Sequence, residues 1–220
     1  MEQLKLPLLQ IARQAELSSE NVSESGYITD MADIAIKTID SCLLSLSEGN
    51  QASLILEPVS VSATINSAAE SLGSLAKIYN CELEIELPVK ILPVMSDKVR
   101  LEAALTMLGY AFIEAQFPSL PTKKSRGMVK FKAYRTDSGV AAGIFSPNIE
   151  MSNGYFKKAM LSKDQSRQFL PEFSASSGAG IMLADNLLSD ISSHLRVAHQ
   201  QHLTGLVANL APSGQLNWSF

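Results

Sequence analysis

A chain of 220 residues that is 46% hydrophobic and 18% charged has enough apolar matter for a real core, which excludes a disordered chain. Its net charge of −4 argues against general affinity for nucleic acid, the more so because eight acids (Glu2, Glu16, Glu20, Glu24, Asp30, Asp33, Asp40, Glu48) against three bases (Lys5, Arg13, Lys37) put −5 on residues 1–50 and leave about +1 elsewhere. Lys123, Lys124 and Arg126 form a short basic run without aromatic interleaving, which reads as a solvated loop rather than a phosphate-tracking groove.

No stretch nears the ~18 uninterrupted apolar residues that a membrane span needs, and the N-terminus lacks a charged region followed by an apolar one. The expectation is a cytoplasmic protein, or the cytoplasmic piece of a larger one. Cys42 and Cys81 fall on periodic apolar positions of a helix and a strand, so they read as buried free thiols of a reducing compartment rather than a disulfide or a metal pair.

In chain order, residues 1–50 read as two helices. Leu4, Leu8, Ile11 and Ala15 form the first stripe, a polar loop covers Ser18–Ser25 and ends at Gly26, and Ile28, Met31, Ala35, Thr38, Cys42 and Leu46 form the second, stopped by Gly49-Asn50. An antiparallel helical hairpin cannot bury both apolar faces alone, so pairing with a second copy into a four-helix bundle is the expected solution.

From residue 51 the pattern becomes mixed. Val61, Ile65, Ala68, Leu72, Leu75 and Tyr79 keep helical spacing behind a cap at Ser60 or Ser62, and Cys81-Glu-Leu-Glu-Ile-Glu-Leu87 alternates as a strand with one wet face. A helix follows Ser96-Asp97, with Leu101, Leu105, Leu108, Phe112 and Ala115 as its stripe. Met128–Tyr134 and Val140–Phe145 form a hairpin around Asp137-Ser138-Gly139, Gly178–Ile191 is a helix, and His194–Val197 with Leu203–Leu210 completes a sheet. The predicted class is α+β: a hairpin over 1–50 and a two-layer α/β sandwich over 51–220.

His194, His199 and His202 have no cysteine or carboxylate among them, and a hairpin sends alternate residues to opposite faces, so they read as solvated and no metal site is expected. A Ser-His-Asp arrangement lacks a supporting GxSxG.

Several segments carry a resemblance to a family. Leu4-Lys-Leu-Pro7-Leu looks like the end of the HELKxPL box, Leu56-Glu-Pro-Val-Ser60 like LEPVDL, Val94–Leu101 like the approach to an Asn-rich box, Arg100–Gln116 like that box, and Ser177-Gly178-Ala-Gly180-Ile-Met-Leu-Ala184 like the GLGLAI glycine box. With the element order, the chain resembles the core of a sensor histidine kinase over nearly its full length: a helical-hairpin dimerisation domain plus a Bergerat-type ATPase-like sandwich.

The resemblance implies a bacterial two-component system, a homodimer, and a response-regulator receiver or another kinase core as partner. It also implies docking on the hairpin, at Leu4, Leu8, Ile11, Ile39 and Leu43. Gly178 and Gly180 are then a vestigial phosphate loop, where glycine lets a helix N-terminus approach phosphate, or glycines that simply allow tight helix packing.

The chemical positions depart from the family. Glu2 falls on the phosphoacceptor histidine, or is a helix-start acid, and no histidine precedes His194. Met107 and Ala111 stand at the two asparagines, and Glu114 at the basic position facing phosphate. A methyl group offers a magnesium ion no oxygen, and a carboxylate opposes phosphate charge. Ser146 stands where the family's aspartate reads adenine, and Asn148 and Glu150 replace its glycines. No cofactor is expected, and residues 152–175 take the place of a lid without a phosphate to close on. The expectation is a pseudokinase-like signalling protein acting by dimerisation and docking. The alternative is a divergent ATP-binding kinase or a histidine phosphotransferase-like protein.

Overall fold

The computed structural model describes residues 22–46, 54–119, 126–161, 170 and 173–214. The chain divides into two compact units, Met1–Asn50 and Gln51–Phe220.

In the first unit, helix α1 spans Val22–Leu46, 25 residues. It takes in Val22–Ser25, which the sequence assigns to a loop. The polar run and Gly26 do not end it, because Ser and Glu are only mildly disfavoured in helices and an internal Gly costs about 1 kcal/mol. Ala32 and Ser41 are buried, and the Ser41 hydroxyl donates back to the Lys37 carbonyl at 2.8 Å. The expected first helix, with Leu4, Leu8 and Ile11, lies outside the described residues.

The second unit is α+β. A five-stranded sheet has the order β2(Cys81–Glu86), β4(Gly127–Thr136), β5(Gly139–Ser146), β7(Leu203–Leu210), β6(Leu195–Gln200). The β2–β4 pair is parallel and the others are antiparallel. A small antiparallel pair, β1(Glu57–Val59) with β3(Val94–Ser96), joins the chain leaving β7 through Met95 N–H to Ala211 C=O and Ser213 N–H to Pro93 C=O, both 2.9 Å. Helices α2(Val61–Ser71), α4(Lys98–Ser119) and α6(Ala175–Asp190) bury their apolar faces with one face of the sheet. The short α3(Gly73–Ile78) leads into β2, and α5(Asn153–Leu161) packs against β6.

Ser60 is the N-cap of α2, accepting from Ala63 N–H at 3.3 Å. The helix expected to run on to Tyr79 is interrupted at Leu72 (φ −104°, ψ 0°), and α3 starts beside it. Apolar spacing alone does not register this break, because the stripe stays buried through it, at Ala68, Leu72 and Leu75.

The alternation of β2 has a clear cause. Its glutamates share a sheet face with lysines of β4: Lys130 Nζ reaches Glu84 at 2.8 Å and Glu86 at 3.3 Å, and Lys132 Nζ reaches Glu86 at 2.8 Å. The Lys132 hydrogen bond holds the Glu86 carboxyl below its ordinary range, and the Glu84 hydrogen bond holds the Lys130 ammonium above its own. Next to them Phe145, Leu203 and Val207 form a small cluster of their own. Gly139 closes the β4–β5 hairpin at φ +143°, where a Cβ would run into the Leu210 carbonyl.

Helix α4 is the centre of the unit. Its expected stripe is buried, but so are Ala104, Met107, Ala111 and Ile113. A helix apolar nearly all round belongs inside, and α4 packs at once on α2, α6, β4 and β5.

Candidate functional site

The face of α4 toward α6 carries Met107, Ala111 and Glu114, the three positions aligned to the Asn-rich box. Met107 and Ala111 are buried, with Ala111 fully so. Glu114 ends the series in polar company. The Ser174 hydroxyl donates to its carboxylate at 3.0 Å, and the Ser177 hydroxyl donates to the same oxygen.

Those serines belong to the start of α6. Ser174 is the N-cap, its oxygen accepting from Ser177 N–H at 3.1 Å. The preceding Phe173 is buried against Phe112 of α4, ring centroids 5.5 Å apart, which pins the helix start to α4. No acid lies in the first turn of α6. The carboxylate favoured at a helix N-terminus is supplied here by α4 instead.

This start lies three residues ahead of the one expected from the sequence at Gly178. The helix begins at Ala175, so both glycines sit inside it, beyond the capped first turn. A capping serine outcompetes a glycine as a start because its side chain satisfies an orphan N–H. Gly180 lies against α4, where an added Cβ would be 3.8 Å from the Met107 carbonyl oxygen. Gly178 is buried, and among the described residues nothing lies within 4 Å of a Cβ added there.

A second polar group lies at the end of β5. Ser146 and Gln116 are fully buried. The Ser146 hydroxyl donates to Gln116 Oε1 at 3.3 Å and accepts from Asn148 N–H at 3.2 Å, Asn148 Nδ2 donates to the same Gln116 oxygen at 2.9 Å, and Gln116 Nε2 donates to the Phe112 carbonyl at 3.0 Å. Every buried side-chain nitrogen and oxygen among the described residues has a partner. Glu150 is exposed.

Gln116, Ser174 and Ser177 were not singled out from the sequence. Ser174-x-x-Ser177 ahead of an apolar run is a cap signal that could have been read. Gln116 at the end of the α4 stripe carries no comparable mark.

Of the expected docking residues, Ile39 and Leu43 are half-buried on α1, while Leu4, Leu8 and Ile11 lie outside the described residues. His194, His199 and His202 are exposed. His194 lies 3.7 Å from Asp185, and His199 touches the Thr204 hydroxyl at 3.3 Å. Among the described residues no group of three His, Cys, Asp or Glu side chains could hold a metal, and no helix is long and apolar enough to cross a membrane. Cys42 and Cys81 are free; Cys81 is buried as expected, whereas Cys42 is only half-buried.

No family model matches the sequence, and no curated protein matches it. The fold is shared with solved histidine kinases. Full-length ShkA in complex with AMPPNP aligns at a TM-score of 0.61 and 15% identity over 96% of this chain and 45% of that one. The Acinetobacter baumannii histidine kinase AdeS aligns at 0.54 and 12%, covering 96% of both chains. Histidine kinase ThkA in complex with the response regulator TrrA aligns at 0.58 and 10%, over 96% of this chain and 58% of that one. The chain thus spans less than half the length of ShkA, and it has a histidine-kinase-like fold with the ATPase-type α/β sandwich.

Proposed function

We propose that this protein is a catalytically degenerate histidine-kinase-like signalling protein. It binds no ATP, does not phosphorylate itself, and acts as a homodimer that docks a partner protein. The observation that carries the reading is the closed Ser146–Gln116–Asn148 group. The hydroxyl aligned with the adenine-reading aspartate has both its donor and an acceptor position in use, and a purine would have to displace hydrogen bonds that are buried at Ser146 and Gln116 and open to water at the exposed Asn148, each worth about 1 kcal/mol net and more if a partner is left unmade. Ala111 supplies no oxygen to a hard divalent ion, so the residues do not fit a magnesium-bound triphosphate.

The family's phosphoryl step needs an imidazole nitrogen. The three histidines of this chain all lie at or between its last two strands, none within residues 1–50. The helical first unit is the candidate dimerisation and docking element, with Leu4, Leu8, Ile11, Ile39 and Leu43 as contacts. The ThkA structure with TrrA supports a receiver domain as the kind of partner.

Calorimetric titration of the full chain with Mg-ATP and with ADP tests the reading, and no saturable heat is expected. Micromolar binding of either nucleotide would overturn it in favour of the second reading, a divergent ATP-binding kinase. That reading draws support from the AMPPNP complex of ShkA. Sedimentation at micromolar concentration tests the dimer, and a monomer there removes that part of the proposal.

A further inference from the structure

The backbone where the chain enters the second unit is tied to the C-terminal end of α6 through one side chain. We propose that Asp97, Arg100 and Asp190 form a conformational relay: a change in the backbone at Ile55 is delivered through the Arg100 guanidinium to the last turn of α6, and a change there is delivered back. The relay lies within the second unit and stands whether or not a nucleotide binds.

Four features carry it. Ile55 N–H donates to Asp97 Oδ2 at 3.1 Å and Arg100 Nη1 donates to that same oxygen at 3.1 Å, so backbone and guanidinium share one acceptor. Asp97 and Arg100 are both 5% exposed, hence water is a poor substitute for either partner. The guanidinium is planar and rigid, so a displacement at Nη1 is passed to Nε, which donates to Asp190 Oδ2 at 3.0 Å. Asp190 is the last residue of α6, with no base of its own helix in that turn, so its carboxylate opposes the helix dipole wherever Arg100 is withdrawn.

The two contacts join positions 42 and 90 residues apart, so neither is local. Ile55 is 67% exposed, and side-chain packing therefore adds little to the N–H contact that holds the backbone there. The first unit ends at Asn50, which makes Ile55 the point where a pull on the connecting chain reaches the buried network. At the other end, the turn after α6 is closed by Ile191 N–H to Leu188 C=O at 3.1 Å and Ser192 N–H to Ser189 C=O at 2.9 Å. Because α6 starts at the Glu114 contact, the relay acts on a helix that frames the candidate site.

The test is amide hydrogen exchange, read residue by residue on the full chain, with the buried strand residue Ile144 as the reference for opening of the whole unit. Ile55→Pro removes the N–H and leaves Asp97, Arg100 and Asp190 in place. Its Ile191 and Ser192 amides are expected to exchange about tenfold faster than in wild type, relative to Ile144. Asp190→Asn perturbs the other end, and since coupling is reciprocal its Ile55 amide should exchange about tenfold faster as well. Ser60→Ala loosens the start of α2 beside β1 without touching Asp97, and should leave Ile191 and Ser192 as they are.

A folded Ile55→Pro whose faster exchange stops at residues around Ile55 and Asp97 overturns the inference, as does an Asp190→Asn in which the Ile55 amide is unmoved. If Ile55→Pro does not fold, the Asp190→Asn result decides alone. Equal loosening of Ile191 and Ser192 in Ser60→Ala overturns it too, because the effect would then not pass through Arg100.

Discussion

Arg100 offers the sharpest test of what holds the second unit together. It is buried at 5% exposure, its guanidinium contacting Asp97 at 3.1 Å and Asp190 at 3.0 Å. Asp97 also caps α4 by accepting from Arg100 N–H at 3.0 Å, and it accepts from Ile55 N–H at 3.1 Å. Asp190 ends α6, where the helix dipole disfavours a carboxylate, and no base of α6 itself lies in that last turn. Arg100→Leu removes the cation from two carboxylates together and leaves Asp97 buried with its charge unmatched. Breaking a buried pair from one side costs about 3–5 kcal/mol, which in a unit of this size lowers Tm by about 6–20 °C. Urea unfolding at unchanged slope measures it. Asp190→Asn is the control, with an expected loss of about 1 kcal/mol because its side chain is partly open to water. The double variant should lose less than the sum, since the two share one contact. A folded Arg100→Leu that loses under about 1 kcal/mol refutes the assignment of this triad as the joint between the segment leading into β1, α4 and α6.

Ala111→Asn restores the oxygen that a magnesium ion would need, but at a fully buried position with Gln116 and Glu114 still in place; calorimetry with Mg-ATP should remain flat and stability should fall by about 1–3 kcal/mol. Gly109→Ala adds a Cβ 2.5 Å from Leu72 Cδ1 and 2.8 Å from Phe131 Cζ. Overpacking of about 1–3 kcal/mol should exceed the roughly 1 kcal/mol gained in helix propensity, so urea unfolding should show a net loss. Burial pushes the Cys81 thiol up to about 12 and raises the half-buried Cys42 less far, so a thiol reagent at mild alkaline pH should label Cys42 first and Cys81 only as fast as the unit opens. The Glu86 carboxyl is depressed by Lys132, so its contribution is complete above its usual 4.5 and is lost as pH falls through the folded value. Lys132→Met should therefore be less stable than wild type near neutrality, and denaturant titrations should show that gap narrowing as pH falls below the usual carboxylate value of 4.5.

How far the sequence could be read follows from where each signal lies. The β2 alternation and the Asp137-Ser138-Gly139 turn are local, and both elements stand where they were expected. Ser60 announces α2 in the same way. The β1–β3 pair was missed because three-residue strands show no alternation, Pro58 argues against a strand, and Glu57 meets Ser96 across a long separation. The start of α6 was misplaced because glycines that look like a loop are helix interior, tolerated where Gly180 meets the α4 backbone. Substitutions at Ala111, Glu114 and Ser146 could be seen as departures from a pattern. What each side chain does instead depends on partners 30 to 63 residues away, which no local rule supplies.

Both polar groups of the candidate site are tied to one helix. Glu114 and Gln116 are two residues apart on α4, hence about 200° apart around its axis, so the same turn addresses the start of α6 with one residue and the end of β5 with the other. A helix buried nearly all round can do this because it has neighbours on both sides, and a surface helix could not. The consequence is that the two ends are chemically independent but mechanically shared. Each is satisfied by its own hydrogen bonds, yet any rotation or shift of α4 that released one would disturb the other, along with the Arg100 joint at the helix start. Such a helix favours a single fixed arrangement over an opening and closing one. Under the function proposed above, a module that holds a surface for a partner rather than cycling with nucleotide would need that property.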